Sequence, residues 1–136
     1  MKIGYDLDGV ICKEPNYISK AFKFSVNLGI KLRQIQDRLY IPKIPGFIIT
    51  GRPKCDSRLT IRWLMEKGIS YEELFMPNVF INSMQATIFK SAIINNLDCD
   101  YYIESDMYIS LVLDKLCPNC NVINVKNKLA TYFLWG

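Results

Sequence analysis

Short apolar runs alternate with longer stretches of helical periodicity along the whole chain. Five of these runs have the length of buried strands and are bounded by turn residues. They cover residues 3–7, 46–50, 78–81, 101–104 and 121–125. Strands separated by single helices form right-handed crossovers, which place them side by side in a parallel sheet. The pattern therefore predicts an α/β fold, a three-layer Rossmann-like domain with a parallel five-stranded sheet.

Helical periodicity fills the intervals between these strands. It covers residues 56–67, 88–97 and 106–116. In the first interval Trp63 and Leu64 fall on one face, and Gly68 ends the pattern. The apolar stretch 132–135 is predicted to form a last helix packed on the sheet, with an oligomer contact as the alternative.

Composition narrows the class of protein. The 136 residues suffice for one core, half of them are apolar, and the net charge is +4. The Lys and Arg residues are scattered, so no nucleic-acid-binding arm is indicated. No apolar run approaches the roughly 20 residues that span a bilayer, and we expect a cytoplasmic protein without a membrane partner. The sequence has no histidine, which excludes Ser-His-Asp and Cys-His catalysis.

The five cysteines do not indicate a structural or metal framework. Their number is odd, which argues against a full set of disulfides. Cys117 and Cys120 have the C-x-x-C spacing, but there is neither a second such pair nor a histidine to complete a zinc site. We interpret the spacing of the pair as a coincidence or as a reduced structural turn.

Chemically capable side chains cluster where the predicted strands end. In parallel sheets, ligands bind beyond the carboxyl ends of the strands. The residues at those ends are Asp6 and Asp8, Thr50-Gly51-Arg52, Asn82-Ser83, and Glu104-Ser105-Asp106. The sequence therefore predicts a polar site at one edge of the sheet.

Asp6 and Asp8 form the most informative pair. They lie two positions apart at the end of a strand, so both carboxylates can face one crevice, and Gly9 permits the sharp turn that follows. Two crowded carboxylates repel each other and favour a hard cation such as Mg²⁺ between them. The alternative is a strand-end turn with solvated acids.

The order of these groups resembles the haloacid dehalogenase superfamily. Asp6-Leu-Asp8-Gly-Val10 is similar to its first motif, and Ile49-Thr50-Gly51-Arg52-Pro53 is similar to its second. Lys90 resembles the lysine of the third motif, and Tyr102-Ile-Glu104-Ser-Asp106 resembles the acidic fourth motif. The family more often has adjacent aspartates in this last motif. The four motifs occur in the family's order and span nearly the whole chain.

The resemblance implies four catalytic residues. Asp6 would be the nucleophile that accepts a phosphoryl group as an aspartyl phosphate. Asp8 would protonate the leaving oxygen and then activate water. Thr50 would hydrogen-bond a phosphoryl oxygen, and Lys90 would neutralise the crowded negative charges.

The resemblance also implies metal and substrate contacts. Mg²⁺ would be the cofactor, held by Asp6, Asp8, Glu104 and Asp106, with the backbone carbonyl of Asp8 also touching it. Substrate contacts would come from Thr50, Gly51, Arg52 and Lys90. For Arg52, a structural ion pair in the turn is an equally weighted alternative.

Residues 1–136 are predicted to form a single domain of the minimally capped kind. The short cap or flap segment lies at about 12–45 and would contain one or two short helices, at 17–28 and 32–39. Helical spacing favours Tyr17, Phe22 and Phe24 as the buried face of this segment, with stacking on a base as the alternative.

The resemblance implies a Mg²⁺-dependent phosphomonoester hydrolase that acts on a small substrate, such as a nucleotide or sugar phosphate. Three alternatives stay open. The first is a catalytically silent binding protein of the same fold. The second is a phosphatase for a macromolecular substrate, a nucleic-acid end or a phosphoprotein. The third is a phosphotransferase. The sequence also leaves open whether the protein forms an oligomer.

Overall fold

The computed structural model describes residues 1–136 and contains twelve helices and strands, together with short 3₁₀ turns at Lys54–Asp56 and Lys128–Tyr132. In chain order they are β1 Ile3–Tyr5, α1 Asn16–Phe24, α2 Val26–Gln34, β2 Ile41–Pro42, β3 Phe47–Ile49, α3 Ser57–Glu66, β4 Glu73–Phe75, α4 Ser83–Leu97, β5 Tyr101–Glu104, α5 Met107–Leu116, β6 Asn121–Asn124 and β7 Leu134–Trp135.

Five strands form one parallel sheet in the order β4-β3-β1-β5-β6. Successive side chains of a strand point to opposite faces. Ile48 and Ile103 accordingly pack with Trp63 of α3 on one face, whereas Ile49 and Tyr102 pack with α4 and α5 on the other. The predicted three-layer Rossmann-like fold with a five-stranded parallel sheet is confirmed. No helix is both long and apolar enough to cross a membrane.

The central position of β1 decides where the site lies. β1 pairs with β3 on one side and with β5 on the other. The residues that follow these three strands therefore meet at one edge of the sheet, in the middle of the molecule.

The prediction of a strand at 78–81 is wrong, because the structure has no strand there. In chain order the third strand of the parallel sheet is β4 at Glu73–Phe75, an edge strand with a single neighbour. Glu73 is exposed and the other two residues of β4 are only half-buried, so this strand has no continuous buried apolar run. Val79 and Phe80 are instead 65% and 54% exposed. Asn82 caps α4 in a capping box with Gln85, so this helix begins at Ser83 rather than at 88.

The C-terminal stretch also differs from the prediction. Residues 132–135 are not a helix, because Leu134–Trp135 form β7, which pairs antiparallel with β2. Phe133 and Leu134 are buried, and Lys43 lies 4.4 Å from the ring centroid of Trp135. The apolar composition is therefore explained by a small two-stranded sheet that ties the chain end to the segment before β3.

The segment at 12–45 contains two helices of nine residues each, α1 and α2. They are separated at Ser25, whose amide closes α1 and whose hydroxyl accepts a hydrogen bond from Leu28 at the start of α2. The prediction of a helix at 32–39 was therefore wrong in its bounds. The predicted buried face was wrong for Tyr17 and Phe24, which are 50% and 86% exposed, whereas Phe22 is half-buried and Ile18 is buried.

Candidate active site

The polar residues at the strand ends line a crevice of about 620 Å³. Asp6 and Asp8 follow β1, Thr50 and Arg52 follow β3, and Glu104 ends β5. Lys90 reaches the same crevice from the middle of α4, and Asp106 lies at its rim. The structure thus brings the predicted catalytic residues to one place. Asn82 and Ser83 also line the crevice, although they begin a helix rather than end a strand.

Lys90 lies between two carboxylates. Its Nζ donates to Asp6 Oδ1 at 3.1 Å and to Glu104 Oε1 at 3.0 Å. All three residues are buried, with exposures of 4% for Asp6, 5% for Lys90 and 1% for Glu104. One ammonium therefore balances two buried carboxylates, and the group of three retains one negative charge.

This imbalance sets the pKa values of the three groups. Burial and the charge of Glu104 raise the pKa of Asp6 well above its usual range, although Lys90 opposes the shift. Burial raises the pKa of Glu104, but the charge of Lys90 and the hydrogen bonds to the carboxyl together outweigh it, and the pKa is lowered. At Lys90 itself burial is outweighed by both carboxylates, and the pKa is raised. A further positive charge near Asp6 would keep this carboxylate ionised.

Asp8 is held by a second set of charges. Arg52 donates from Nε to Asp8 Oδ2 at 2.9 Å and from Nη2 to Asp8 Oδ1 at 2.5 Å. Arg52 is 3% exposed and also donates to the hydroxyl of Thr60. Burial raises the pKa of Asp8, but the charge and hydrogen bonds of Arg52 outweigh it, and the pKa is lowered. Of the two interpretations of Arg52, the structure contains the ion pair.

Sequence reasoning missed two further charged residues at this site, Glu14 and Arg33. Arg33 Nη2 donates to Glu14 Oε1 at 3.1 Å and lies 3.6 Å from Asp8 Oδ2. Both residues line the crevice, and Glu14 Oε2 is buried without a hydrogen-bond partner. They belong to the segment 12–45, whose placement over the sheet no local pattern indicates. Burial and the charge of Asp8 raise the pKa of Glu14 to about 7.

Glu14→Gln should flatten the pH dependence of stability. Because the folded pKa of Glu14 lies above its ordinary value of 4.5, its contribution is present below that value and is lost as pH rises through about 7. Gln cannot ionise and does not lose this contribution. From about pH 5 to about pH 8, the free energy of unfolding of the variant should therefore rise by about 1–3 kcal/mol relative to that of wild type. Urea unfolding at the two pH values measures it. The exposed Glu66→Gln serves as control, and equal pH slopes in wild type and Glu14→Gln would contradict the expectation.

The turn after β3 presents Thr50 and Gly51 to the crevice. Thr50 is 1% exposed, and its Oγ1 accepts a hydrogen bond from the amide of Arg52 at 3.1 Å. The hydroxyl proton of Thr50 makes no hydrogen bond within the protein and can donate to a ligand. A Cβ at Gly51 would lie 3.2 Å from that of Ala86, so the turn packs closely against the first turn of α4.

The four acids predicted to hold Mg²⁺ do not converge on one point. No group of three or more acidic, cysteine or histidine side chains has the arrangement of a metal site. The carboxylate of Asp8 is held by Arg52, and that of Asp106 caps α5 by accepting from the amide of Ile109. Glu104 Oε2 accepts from the amides of Ser105 and Asp106.

A smaller set of oxygens does converge next to Asp6. Ser105 Oγ lies 3.0 Å from Asp6 Oδ2 and 3.0 Å from the backbone oxygen of Asp8. These are a carboxylate, a carbonyl and a hydroxyl, all hard donors that suit Mg²⁺, which usually keeps several waters or phosphate oxygens as its other ligands. The residues present therefore fit a hard cation through three oxygens rather than through four acids.

Comparison with known proteins gives one likeness of fold. No family model matches the sequence, and no curated protein matches it. A chain in the structure of the Pnkp1/Rnl/Hen1 RNA repair complex is similar to 90% of this chain, with a TM-score of 0.54 and 18% identity. The present chain spans 42% of the length of that chain. At this identity the likeness is one of fold, and it agrees with the Rossmann-like α/β architecture.

Proposed function

We propose that this chain is a phosphomonoester hydrolase of the haloacid dehalogenase type, with Asp6 as the nucleophile and Mg²⁺ as cofactor. The observation that carries the proposal is the position of Lys90, whose ammonium joins Asp6 to Glu104 inside the crevice at the strand ends. Phosphoryl transfer needs an in-line nucleophile and fixed positive charge at the transferring oxygens. Asp6 and Lys90 supply these two elements side by side.

The two carboxylate oxygens of Asp6 have different hydrogen-bond partners. Oδ1 accepts from Lys90 and from the amide of Leu7, whereas Oδ2 accepts only from the hydroxyl of Ser105. In the proposed reaction one carboxylate oxygen of Asp6 forms a bond to phosphorus while the ester oxygen departs with its electron pair. Thr50 and Lys90 then bind the transferred oxygens, and bound Mg²⁺ supplies further positive charge to the same group.

Asp8 suits the second half of the reaction. Its carboxylate is kept ionised by Arg52, which is the protonation state that accepts a proton from the water that hydrolyses the aspartyl phosphate, although the lowered pKa also makes Asp8 a weak base. The same ion pair makes Asp8 a poor proton donor in the first half. The role of proton donor, which the family resemblance implies for Asp8, is therefore weakened here.

We expect a strong preference for substrates whose leaving groups need no proton. General acid catalysis contributes about 10²–10⁴-fold, so aryl phosphates should exceed alkyl phosphates in kcat/KM by about 10²-fold or more. Asp8→Asn should slow the release of phosphate from both classes, since it acts on the shared second step. Steady-state assays on matched aryl and alkyl esters measure this. If Asp8→Asn impaired only the alkyl esters, Asp8 would be the proton donor after all.

The proposed function is tested by a phosphate-release screen over nucleotides, sugar phosphates and aryl phosphates with Mg²⁺. Release should require Asp6, and the exposed Asp37→Asn provides a matched control that removes one acid elsewhere. Release that is equal in wild type and Asp6→Asn would refute the mechanism. No release from any substrate by a folded protein would favour the silent binding protein.

A nucleic-acid end is a second candidate substrate. It is favoured by the exposed Phe80 at the rim of the crevice and by the likeness to a chain from an RNA repair complex. An aromatic ring at the rim can stack on a base next to a terminal phosphate. Oligonucleotides with a 5′- or 3′-phosphate therefore belong in the screen, beside the corresponding mononucleotides. Higher kcat/KM for the oligonucleotide would identify a macromolecular substrate.

A further inference from the structure

The hydroxyl of Ser105 has more acceptors around it than it can satisfy. Its Oγ lies 3.0 Å from Asp6 Oδ2, 3.0 Å from the backbone oxygen of Asp8 and 3.3 Å from Glu104 Oε2. A serine hydroxyl has one proton to donate. The hydroxyl can therefore donate a hydrogen bond to only one of these three oxygens at a time. The other two acceptors receive no hydrogen bond from Ser105, so the cluster has an excess of oxygen lone pairs.

The position of Ser105 is fixed by the turn after β1. Gly9 has φ of +85°, and a Cβ there would lie 2.6 Å from Ser105 Cβ and 2.8 Å from its Oγ. Glycine therefore lets the turn approach β5 closely enough for Ser105 to contact both Asp6 and the carbonyl of Asp8. A larger residue at position 9 would separate these oxygens.

The spacing of the oxygens matches the coordination of a small hard cation. Mg²⁺ binds six oxygens at about 2.1 Å in an octahedron, so neighbouring ligands are separated by about 3.0 Å. Ser105 Oγ has this separation from both Asp6 Oδ2 and the Asp8 carbonyl oxygen. Ser105 Oγ is thus spaced from each of the other two oxygens as one ligand of such an ion is from its neighbour.

The three oxygens of Asp6, Asp8 and Ser105 together carry little negative charge. Of these oxygens only Asp6 Oδ2 belongs to a carboxylate, and Asp6 shares its charge with Lys90 at 3.1 Å. The carboxylates of Asp8, Glu104 and Asp106 are bound to Arg52, Lys90 and the start of α5 respectively. A divalent ion would therefore gain little electrostatic stabilisation from the protein alone.

We propose that Ser105 is a metal ligand and that the substrate's phosphoryl group completes the site, so that the divalent cation binds tightly only together with phosphate. The protein supplies Asp6 Oδ2, the Asp8 carbonyl and Ser105 Oγ, and phosphate supplies further oxygens and the missing negative charge. This inference rests on the proposed function for its ligand class. It assigns to the hydroxyl of Ser105 the role of metal ligand, which the family resemblance implies for acidic residues.

Linkage makes the proposal quantitative. If phosphate raises the affinity for the ion by some factor, the ion must raise the affinity for phosphate by the same factor. We expect that factor to be about 10-fold or more, within the usual range of coupling between two sites. Ser105→Asp should remove the dependence, because it adds a carboxylate beside Asp6 and makes a resident site.

The test measures Mn²⁺ binding by electron paramagnetic resonance, with and without inorganic phosphate, and corrects for Mn²⁺–phosphate complexes in buffer. Wild type should bind Mn²⁺ at least about 10-fold more tightly with phosphate. Ser105→Asp should bind Mn²⁺ about 10-fold more tightly than wild type without phosphate, and Ser105→Ala should lose the effect of phosphate. The exposed Asp114→Asn on α5 should behave as wild type.

Two results would overturn the proposal. One is the same Mn²⁺ affinity of wild type with and without phosphate. The other is a folded Ser105→Asp, verified by circular dichroism, that binds Mn²⁺ no more tightly than wild type. The measurement is independent of turnover. If the protein shows the linkage but releases no phosphate, only the hydrolase proposal is contradicted. If it releases phosphate but shows no linkage, only the present proposal is contradicted.

Discussion

Asp6→Asn should lower phosphate release by about 10³-fold or more, because the amide cannot form the aspartyl phosphate. No neighbouring acid can replace it. Glu104 is bound to Lys90 and to two backbone amides, and Asp8 is bound to Arg52. A continuous phosphate assay on the best substrate of the screen measures the loss.

The fold should survive this substitution. Asp6 and Glu104 share one ammonium, and the pKa of Asp6 is raised by burial and by the charge of Glu104. Ionisation of Asp6 therefore lowers the stability of the fold as pH rises through the raised pKa, and Asn removes that repulsion while retaining a hydrogen-bond acceptor. Thermal unfolding should show a midpoint equal to or above that of wild type near neutral pH. A large fall in the midpoint would mean that the loss of activity reports unfolding.

Lys90→Met should destabilise the protein by about 3–5 kcal/mol, which corresponds to a fall in Tm of about 10–20 °C. The substitution leaves Asp6 and Glu104 as two buried carboxylates without a cation. Removing one member of a buried ion pair has this large effect because the remaining charge cannot be solvated. Chemical denaturation measures the free energy of unfolding.

The pH dependence identifies the cause. The folded pKa of Lys90 is raised, so its stabilising contribution is complete below its ordinary value and is fully present at neutral pH. In Lys90→Met the carboxyls of Asp6 and Glu104 should take up protons, so the loss of stability should be smaller at about pH 5 than at about pH 8. The double variant Lys90→Met/Glu104→Gln should recover part of the loss. A loss that is independent of pH and is not recovered would indicate a packing defect.

The central sheet could be predicted because its strands are buried. β1, β3, β5 and the edge strand β6 lie within the predicted runs. The three inner strands need a continuous apolar sequence because helices cover both of their faces. β4 could not be found in this way, because it starts with the exposed Glu73 and its other two residues are only half-buried. The exposed Val79 and Phe80 gave a false signal in its place.

The candidate site divides in a similar way. Asp6, Thr50 and Glu104 were located because strand ends converge in a parallel sheet, and Lys90 because of its place in the motif order. The contacts of Glu14 and Arg33 depend on how α1 and α2 lie over the sheet, which sequence periodicity does not specify.

Two side-chain contacts in the site could not be predicted from the sequence either. The pairing of Arg52 with Asp8 depends on the path of the turn after β3, and the placement of Ser105 depends on the close approach of Gly9. Both contacts change the chemistry that the motifs alone imply. The first opposes proton donation by Asp8, and the second places a hydroxyl where an acid was expected.

The most direct test of the mechanism is to locate the phosphoryl group during turnover. Asp8→Asn should accumulate the intermediate, since it slows the hydrolysis of the aspartyl phosphate. The protein is mixed with an aryl phosphate and Mg²⁺, quenched in acid and analysed by peptide mass spectrometry. A phosphoryl group should be found on Asp6 and should be absent from Asp6→Asn. Phosphate release without any adduct at Asp6, or with the adduct on another residue, would contradict the proposed mechanism.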